Sequence, residues 1–120
     1  LAFVPLATAP TYSATKAALH IYTAALRFQL RDSGIQVVEI VPPRVHTDMA
    51  GPVGGAVLDV DDFVAQVMAQ WVAQPDTPEI VVAAARPLRD AERDGAWEQR
   101  FAMVNSADQN TCPATESMEN

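Results

Sequence analysis

A tyrosine and a lysine stand four residues apart near the start of the chain, at Tyr12 and Lys16. On a helix, that spacing places both side chains on one face, where their polar ends can reach the same reacting group. A tyrosine titrates near pH ~10 and exchanges protons poorly at neutral pH unless positive charge stabilises its phenolate. Lys16 can supply that charge, so the pair could carry general acid–base chemistry.

The residues around this pair distinguish it from an ordinary surface pair on an amphipathic helix, which the spacing alone would favour. The string Tyr-Ser-Ala-Thr-Lys-Ala-Ala-Leu, residues 12–19, closely resembles the active-site helix of classical short-chain dehydrogenases/reductases. The resemblance implies that Tyr12 is the general acid/base, protonating a carbonyl oxygen during reduction or deprotonating an alcohol during oxidation. It also implies that Lys16 assists the tyrosine electrostatically and binds the ribose hydroxyls of the nicotinamide cofactor.

A second segment, Val-Pro-Pro-Arg-Val-His-Thr-Asp-Met at residues 41–49, is similar to the family segment that ends near the nicotinamide. By this resemblance Pro42, Val45 and Thr47 contact NAD or NADP. Pro43 replaces the usual glycine of that segment, a feature that resembles the DltE-like oxidoreductases of the family. For Thr47, the alternative is a loop hydroxyl that makes a local turn hydrogen bond.

Hydrophobic periodicity predicts helices and strands in alternation around these motifs. The predicted elements are a helix at 11–31, a strand at 35–41, a loop at 44–58, a helix from 59 closed by the proline at 75, a strand at 79–84 and a helix at 90–104. This order is typical of a parallel α/β sheet. Two strands are too few, since nothing else in the chain would cover both of their faces or pair their edges. We therefore predict the C-terminal half of a doubly wound Rossmann-type domain over residues 1–104, followed by a disordered tail at 105–120.

Helix boundaries have their own signals. Gly34, after Asp32 and Ser33, can adopt the left-handed conformation that ends the first helix. Asp59 is expected to cap the second helix, with two further aspartates in its first turn, where the helix dipole favours negative charge. Their positions at a helix start explain these acidic residues without a bound cation.

The two long helices differ in how their apolar residues are distributed. The first has apolar residues around most of its circumference, and the second carries a continuous stripe. The stripe comprises Phe63, Val64, Val67, Met68, Trp71 and Val72, which should lie on a sheet or helix layer. The first helix of the resembling family packs against its copy in a second subunit, so we expect a homodimer or homotetramer. The alternative is that another helix of the same chain covers its second face.

Other residues restrict the partners and the location. The net charge of −7 comes without a cluster of Lys or Arg, which argues against nucleic acid. No apolar run is long enough to cross a bilayer. The lone Cys112 cannot form an internal disulfide, which fits a cytoplasmic protein. His20 and His46 have no plausible co-ligands near them in sequence, so each is interpreted as a solvated or locally bonded side chain and no metal is predicted.

The sequence thus predicts an oxidoreductase that moves a hydride between NAD(P) and a carbonyl or secondary alcohol. The glycine-rich pyrophosphate turn and the active-site serine of the family do not occur in these 120 residues, so we expect an inactive fragment of an enzyme. The small and apolar residues at 48–58 indicate only a pocket without strong charge. The alternatives are an extended-branch nucleotide-sugar epimerase, which uses the same tyrosine and lysine spacing, and an interaction module that associates through its apolar first helix.

Overall fold

The computed structural model of the chain describes residues 1–47 and 57–108. Helices and strands alternate in this part of the chain, as the sequence predicts. The elements are α1 Pro10–Gln29, β1 Glu39–Val41, α2 Val60–Ala73, β2 Glu79–Val81, a 3₁₀ turn Ala83–Ala85, α3 Arg86–Arg89 and α4 Trp97–Asp108. None of the described helices combines the length and apolar character needed to cross a bilayer.

The strands β1 and β2 pair in parallel, which confirms the predicted sheet type. Their register places Ile40 opposite Ile80. Each strand has three residues, fewer than the predicted 35–41 and 79–84. One cause is visible before β1, where the Val37 carbonyl accepts a hydrogen bond from the Arg27 guanidinium at 3.0 Å and not from a neighbouring strand.

The first helix, α1, begins at Pro10, whose fixed φ and missing N–H suit the first turn of a helix. It ends at Gln29, two residues before the predicted end. Gly34 follows with φ 75°, which confirms the left-handed glycine predicted at this chain reversal. The long apolar helix near the N-terminus is therefore correctly predicted from the sequence.

Both faces of the sheet are partly covered, contrary to the prediction that nothing in this chain would cover them. On one face, Val41 and Val81 pack with Ala85 and the half-buried Phe3. The other face is covered by α2. Its core consists of Val67, Ile80 and Val82, with Val38, Leu58 and Phe63 packed around them. The thin sheet therefore has α2 on one face and the 3₁₀ turn with Phe3 on the other.

The second helix, α2, has the predicted cap but only part of the predicted burial. The Asp59 carboxylate accepts a hydrogen bond from the Asp61 backbone N–H at 3.0 Å, as expected for an N-cap. Within the apolar stripe Val67 is buried and Phe63 is half-buried. The other four stripe residues are exposed: Val64 49%, Met68 52%, Trp71 42% and Val72 78%. The described part of the chain therefore covers only one edge of the stripe.

The last helix differs from the prediction of a helix at 90–104. Residues 90–95 form turns that end at Gly95, whose φ of 66° breaks the helical path. The helix α4 starts at Trp97 and continues through Asp108, so its last turn extends into the range predicted as a tail. The remainder of that tail, 109–120, lies outside the described residues.

The paired isoleucines of the sheet allow a matched stability test. Ile80 is fully buried, whereas Ile40, directly opposite on β1, is 43% exposed. Ile80→Ala should lower the free energy of unfolding by about 2–5 kcal/mol, because it leaves a cavity between the sheet and α2. Ile40→Ala should cost clearly less. Urea unfolding followed by circular dichroism measures both, and equal losses would contradict the described packing.

Candidate active site

Tyr12 and Lys16 lie on one face of α1, as their spacing predicts. The Lys16 Nζ is 5.3 Å from the centroid of the Tyr12 ring, within the range of a cation–π contact. Tyr12 is 48% exposed and Lys16 is exposed as well. The structure thus brings the two predicted catalytic side chains together on an accessible surface, where they can reach an external molecule.

The contacts of α1 show which end of the sheet this face occupies. Going forward along α1, His20 contacts Glu39 at the start of β1, and Arg27 contacts Val37, which precedes β1. The helix therefore runs antiparallel to the strand, and its N-terminus points toward the carboxyl ends of β1 and β2. In open α/β sheets, ligands bind at this end.

The rise of each element gives the level that Tyr12 reaches along the sheet. Tyr12 precedes His20 by eight residues, or about 12 Å of helix. The same distance along a strand is about four residues. Four residues beyond Glu39 is Pro43, which lies within the second predicted segment. Tyr12 and the Pro42–Thr47 segment therefore lie at the same end of the sheet.

The Pro42–Thr47 segment is held in an extended form by a second chain segment. Val45 forms a parallel bridge with Leu58, and the His46 N–H donates to the Leu58 carbonyl at 2.9 Å. Thr47 is exposed and is the last residue described before the gap at 48–56. The described contacts join Tyr12 to Lys16 on α1, and they join Val45 and His46 to Leu58.

Residues 3–9, here called the pre-helix segment, lead into α1 and are anchored next to Tyr12 by Ser13. The Ser13 side chain is buried, with 3% exposure. Its hydroxyl accepts a hydrogen bond from the Leu6 N–H at 3.0 Å and donates to the Ala9 carbonyl at 3.1 Å. Since α1 has no side-chain cap at Ala9, Ser13 provides the polar anchor of this helix start.

A network of charged side chains lies at the opposite ends of the strands. Glu39 and Glu79 are directly paired across the sheet. The His20 Nδ1 lies 2.8 Å from Glu39, and the Arg89 guanidinium donates to both carboxylate oxygens of Glu79 at 2.8 Å. His20 is therefore paired with a residue 19 positions away, which corrects its interpretation as a solvated or locally bonded side chain.

The two hydrogen bonds from Arg89 to Glu79 decide between a metal site and a structural ion network. Ligand atoms of His20, Glu39 and Glu79 lie within 4.8 Å of one another, close enough for a metal ion. However, both Glu79 oxygens already accept from Arg89. These hydrogen bonds hold the pKa of Glu79 below its usual value, against the opposing effect of burial. Glu79 correspondingly raises the pKa of Arg89. We therefore interpret the three residues as part of an ion network that links α1, the sheet and α3.

The sequence analysis assigns no role to Glu39 or Glu79, although the position of each in the sequence indicates that its carboxylate needs a partner. Glu39 interrupts the apolar run Val-Val-Glu-Ile-Val, and Glu79 starts the next one. A carboxylate inside a buried strand requires a charged or hydrogen-bonding partner. The partner's identity has no such signal, since Arg89 is ten residues farther along the chain.

Comparison with known proteins connects the first part of the chain to a family. Residues 1–56 match the short chain dehydrogenase family. A stretch of 49 residues is 55% identical to a Bacillus subtilis (strain 168) protein described as the uncharacterized oxidoreductase DltE. That stretch covers 41% of this chain and 19% of the relative, so the match spans about a fifth of the relative's length. No solved structure matches the chain significantly.

These comparisons confirm the resemblance that the Tyr-Ser-Ala-Thr-Lys string predicts. The family match includes α1, β1 and the Pro42–Thr47 segment. The N-terminus of α1 and this segment lie at the carboxyl end of the described sheet. The elements from α2 onward lie beyond it. The likeness to short-chain dehydrogenases therefore rests on the part of the chain that holds the candidate site.

The Glu79–Arg89 pair should make stability depend on pH. Because folding lowers the pKa of Glu79, the pair stabilises the fold above pH 4.5, the usual value, and this contribution is lost as the pH falls through the lowered pKa. Arg89→Met should lower the free energy of unfolding at neutral pH by about 2 kcal/mol. The difference in free energy of unfolding between Arg89→Met and the parent should shrink below pH 4.5.

The matched control is Arg93→Met, since Arg93 is 72% exposed in its pair with Asp90. An exposed pair contributes little, so this variant should follow the parent at every pH. Urea unfolding at several pH values makes the comparison. A deficit of Arg89→Met that stays constant from neutral to acidic pH would contradict the assigned ionisation of Glu79.

Proposed function

We propose that this chain is the C-terminal half of a doubly wound, Rossmann-type oxidoreductase domain. The domain moves a hydride between NAD(P) and a carbonyl or secondary alcohol. The observation that carries the proposal is the exposed Tyr12–Lys16 pair at the carboxyl end of two parallel strands, within residues that match short-chain dehydrogenases. That end is where an open α/β sheet binds its ligands.

In this proposal Tyr12 is the residue that exchanges a proton with the substrate. During reduction its hydroxyl gives a proton to the carbonyl oxygen, and in the reverse direction its phenolate takes the proton from the alcohol. The Lys16 ammonium lies beside the ring and stabilises the phenolate. NAD(P), when bound, supplies or accepts the hydride.

The proposed cofactor contacts are Tyr12, Lys16, Pro42, Val45 and Thr47. Lys16 is exposed on the same face as Tyr12 and can donate to ribose hydroxyls. The Val45–Leu58 bridge fixes the course of the segment that carries Thr47. A segment fixed in this way can orient the nicotinamide ring, so the described residues suit the group.

We propose that activity needs sequence beyond these 120 residues. The matched stretch spans about a fifth of the relative, and the chain has no glycine-rich turn of the kind that binds a cofactor pyrophosphate. We also propose that the protein is cytoplasmic, because its lone Cys112 cannot form an internal disulfide. There it would act as part of a longer chain.

The test is a fusion in which the part of the Bacillus subtilis relative that precedes its matched stretch is placed before Leu1. With NADH or NADPH, this fusion should reduce a panel of carbonyl compounds. Tyr12→Phe should lower kcat by about 100-fold or more while leaving cofactor affinity nearly unchanged, because it removes the proton and keeps the ring. Lys16→Ala should impair both kcat and cofactor affinity.

The matched control is Tyr22→Phe, an exposed tyrosine on the same helix. It should leave turnover unchanged. The 120-residue chain alone should neither reduce the panel nor bind NADH saturably in a fluorescence titration. An active fusion in which Tyr12→Phe keeps normal kcat would end the assignment of Tyr12. Epimerisation of a nucleotide sugar with retained cofactor would move the protein to the extended branch.

We also propose that the longer protein forms a homodimer or homotetramer through α1. The described elements leave an apolar part of this helix open to solvent. Its exposed residues are Leu19 54%, Ile21 67%, Tyr22 62% and Phe28 68%. A two-fold interface requires apolar surface that can pack against its own copy, and these exposed residues supply apolar surface on α1.

Sedimentation velocity of the fusion across a dilution series tests this assembly. The parent should sediment as a dimer or tetramer. Ile21→Glu should shift it toward monomer, since a charge in an apolar interface is costly. Gln29→Glu, an equally exposed charge change on the same helix, should have little effect. A parent that stays monomeric at high concentration would overturn the proposed interface.

A further inference from the structure

The pre-helix segment, residues 3–9, determines where α1 begins and is not part of a helix or strand. Its backbone groups therefore need partners elsewhere in the structure. Some are internal, such as the Ala9 N–H that donates to the Leu6 carbonyl at 3.1 Å. Others come from α4, which lies about a hundred residues away in sequence and outside the residues that match the family.

Asn105 on α4 contacts this segment with both ends of its side-chain amide. Its Oδ1 accepts from the Ala7 N–H at 2.6 Å, and its Nδ2 donates to the Pro5 carbonyl at 3.2 Å. The same Nδ2 donates to the Phe101 carbonyl at 2.8 Å, which orients the amide on its own helix. An amide offers both a donor and an acceptor, so Asn105 can bind this backbone at two points.

A second contact from α4 is made at Phe3, two residues farther from α1 than Pro5. The Trp97 indole Nε1 donates to the Phe3 carbonyl at 3.2 Å. The Trp97 ring stacks on Phe101, with centroids 4.9 Å apart and planes 8° from parallel. Because the Phe101 carbonyl also accepts a hydrogen bond from Asn105, Trp97 and Asn105 belong to one ordered patch of α4.

Ser13 continues these contacts into α1. Its buried hydroxyl is hydrogen-bonded to the backbone of Leu6 and Ala9. Ser13 therefore binds the same segment that Asn105 binds at Pro5 and Ala7. Tyr12 is the next residue toward the N-terminus. Hydrogen bonds from α4 and from Ser13 thus hold neighbouring residues of one short segment, and this segment leads into the helix turn that carries Tyr12.

We propose that Asn105 is a positioning residue that sets the location of Tyr12. It acts through Pro5, Ala7 and Ser13 and does not itself reach the reacting atoms. The consequence for catalysis rests on the proposed function, whereas the effect on the location of Tyr12 can be measured without activity. By this inference α4 belongs to the scaffold of the site, although it lies beyond the family match.

Fluorine NMR of the 120-residue chain, with 3-fluorotyrosine at both tyrosines, reports on Tyr12 directly. Tyr22, on the same helix, serves as an internal reference. Asn105→Ala should shift or broaden the Tyr12 resonance and leave the Tyr22 resonance in place. Ser13→Ala should change the same resonance, because it removes the hydrogen bonds that Ser13 makes to this segment. Gln99→Ala, on the exposed side of α4, should change neither.

Hydrogen exchange and a conservative variant separate positioning from general loosening. In Asn105→Ala the amide of Ala7 should exchange about fivefold faster, as expected for one lost hydrogen bond. Asn105→Asp keeps an acceptor and should preserve the protection of Ala7. If the α4 substitution abolishes helicity by circular dichroism, the Ser13→Ala spectrum decides alone.

A Tyr12 resonance that is unchanged in folded Asn105→Ala and Ser13→Ala chains overturns the inference, whatever the enzyme does. In the fusion, Asn105→Ala should lower kcat about tenfold with unchanged affinity for NADH, because proton transfer depends on the position of Tyr12. A fusion without activity counts against the proposed function and leaves the fluorine result to stand by itself. A shifted Tyr12 resonance with unaltered kcat in an active fusion would refute the catalytic part.

Discussion

Two glutamates stand side by side at the start of the two described strands, and the arrangement of the helices follows from how their charge is balanced. Glu39 and Glu79 are direct partners in a parallel ladder, where like charges oppose pairing. Each therefore needs its own partner. His20 from α1 serves the first and Arg89 from α3 serves the second. The polar partners that the two glutamates require thus tie two helices to the sheet.

The same requirement fixes the direction of α1. Because His20 must meet Glu39 at the beginning of β1, the helix residues that precede it extend toward the carboxyl ends of the strands. Tyr12 and Lys16 are two turns and one turn earlier, so they reach the level at which the strands end. A structural hydrogen bond between His20 and Glu39 at one end of the sheet thereby places the candidate site at the other.

The sequence predicts best those features that depend on local chemistry. Asp59 caps α2 because a carboxylate at that position satisfies a nearby N–H, and Gly34 turns the chain because it tolerates positive φ. The strand lengths and the contacts of α4 depend on distant partners. Arg27 takes the Val37 carbonyl away from the ladder, and Asn105 binds backbone 98 residues away. No local pattern encodes such pairings.

For the candidate site, the sequence predicts the chemical groups but not their support. The Tyr12–Lys16 spacing is sufficient to place both side chains on one face. The backbone that carries Tyr12 is anchored by Ser13 and by Asn105, one inside the quoted motif and the other in a range predicted as tail. Neither residue has a pattern that predicts this role.

The kind of contact that supports the site differs from the kind that supports the sheet. Ile80 and Val82 are held by apolar packing, which is nondirectional and tolerates small displacements. The pre-helix segment combines such packing, at Phe3 and the buried Val4, with hydrogen bonds at residues 5–9, whose strength falls steeply with distance and angle. Packing between the sheet and α2 can therefore keep the chain folded while these bonds determine where Tyr12 lies.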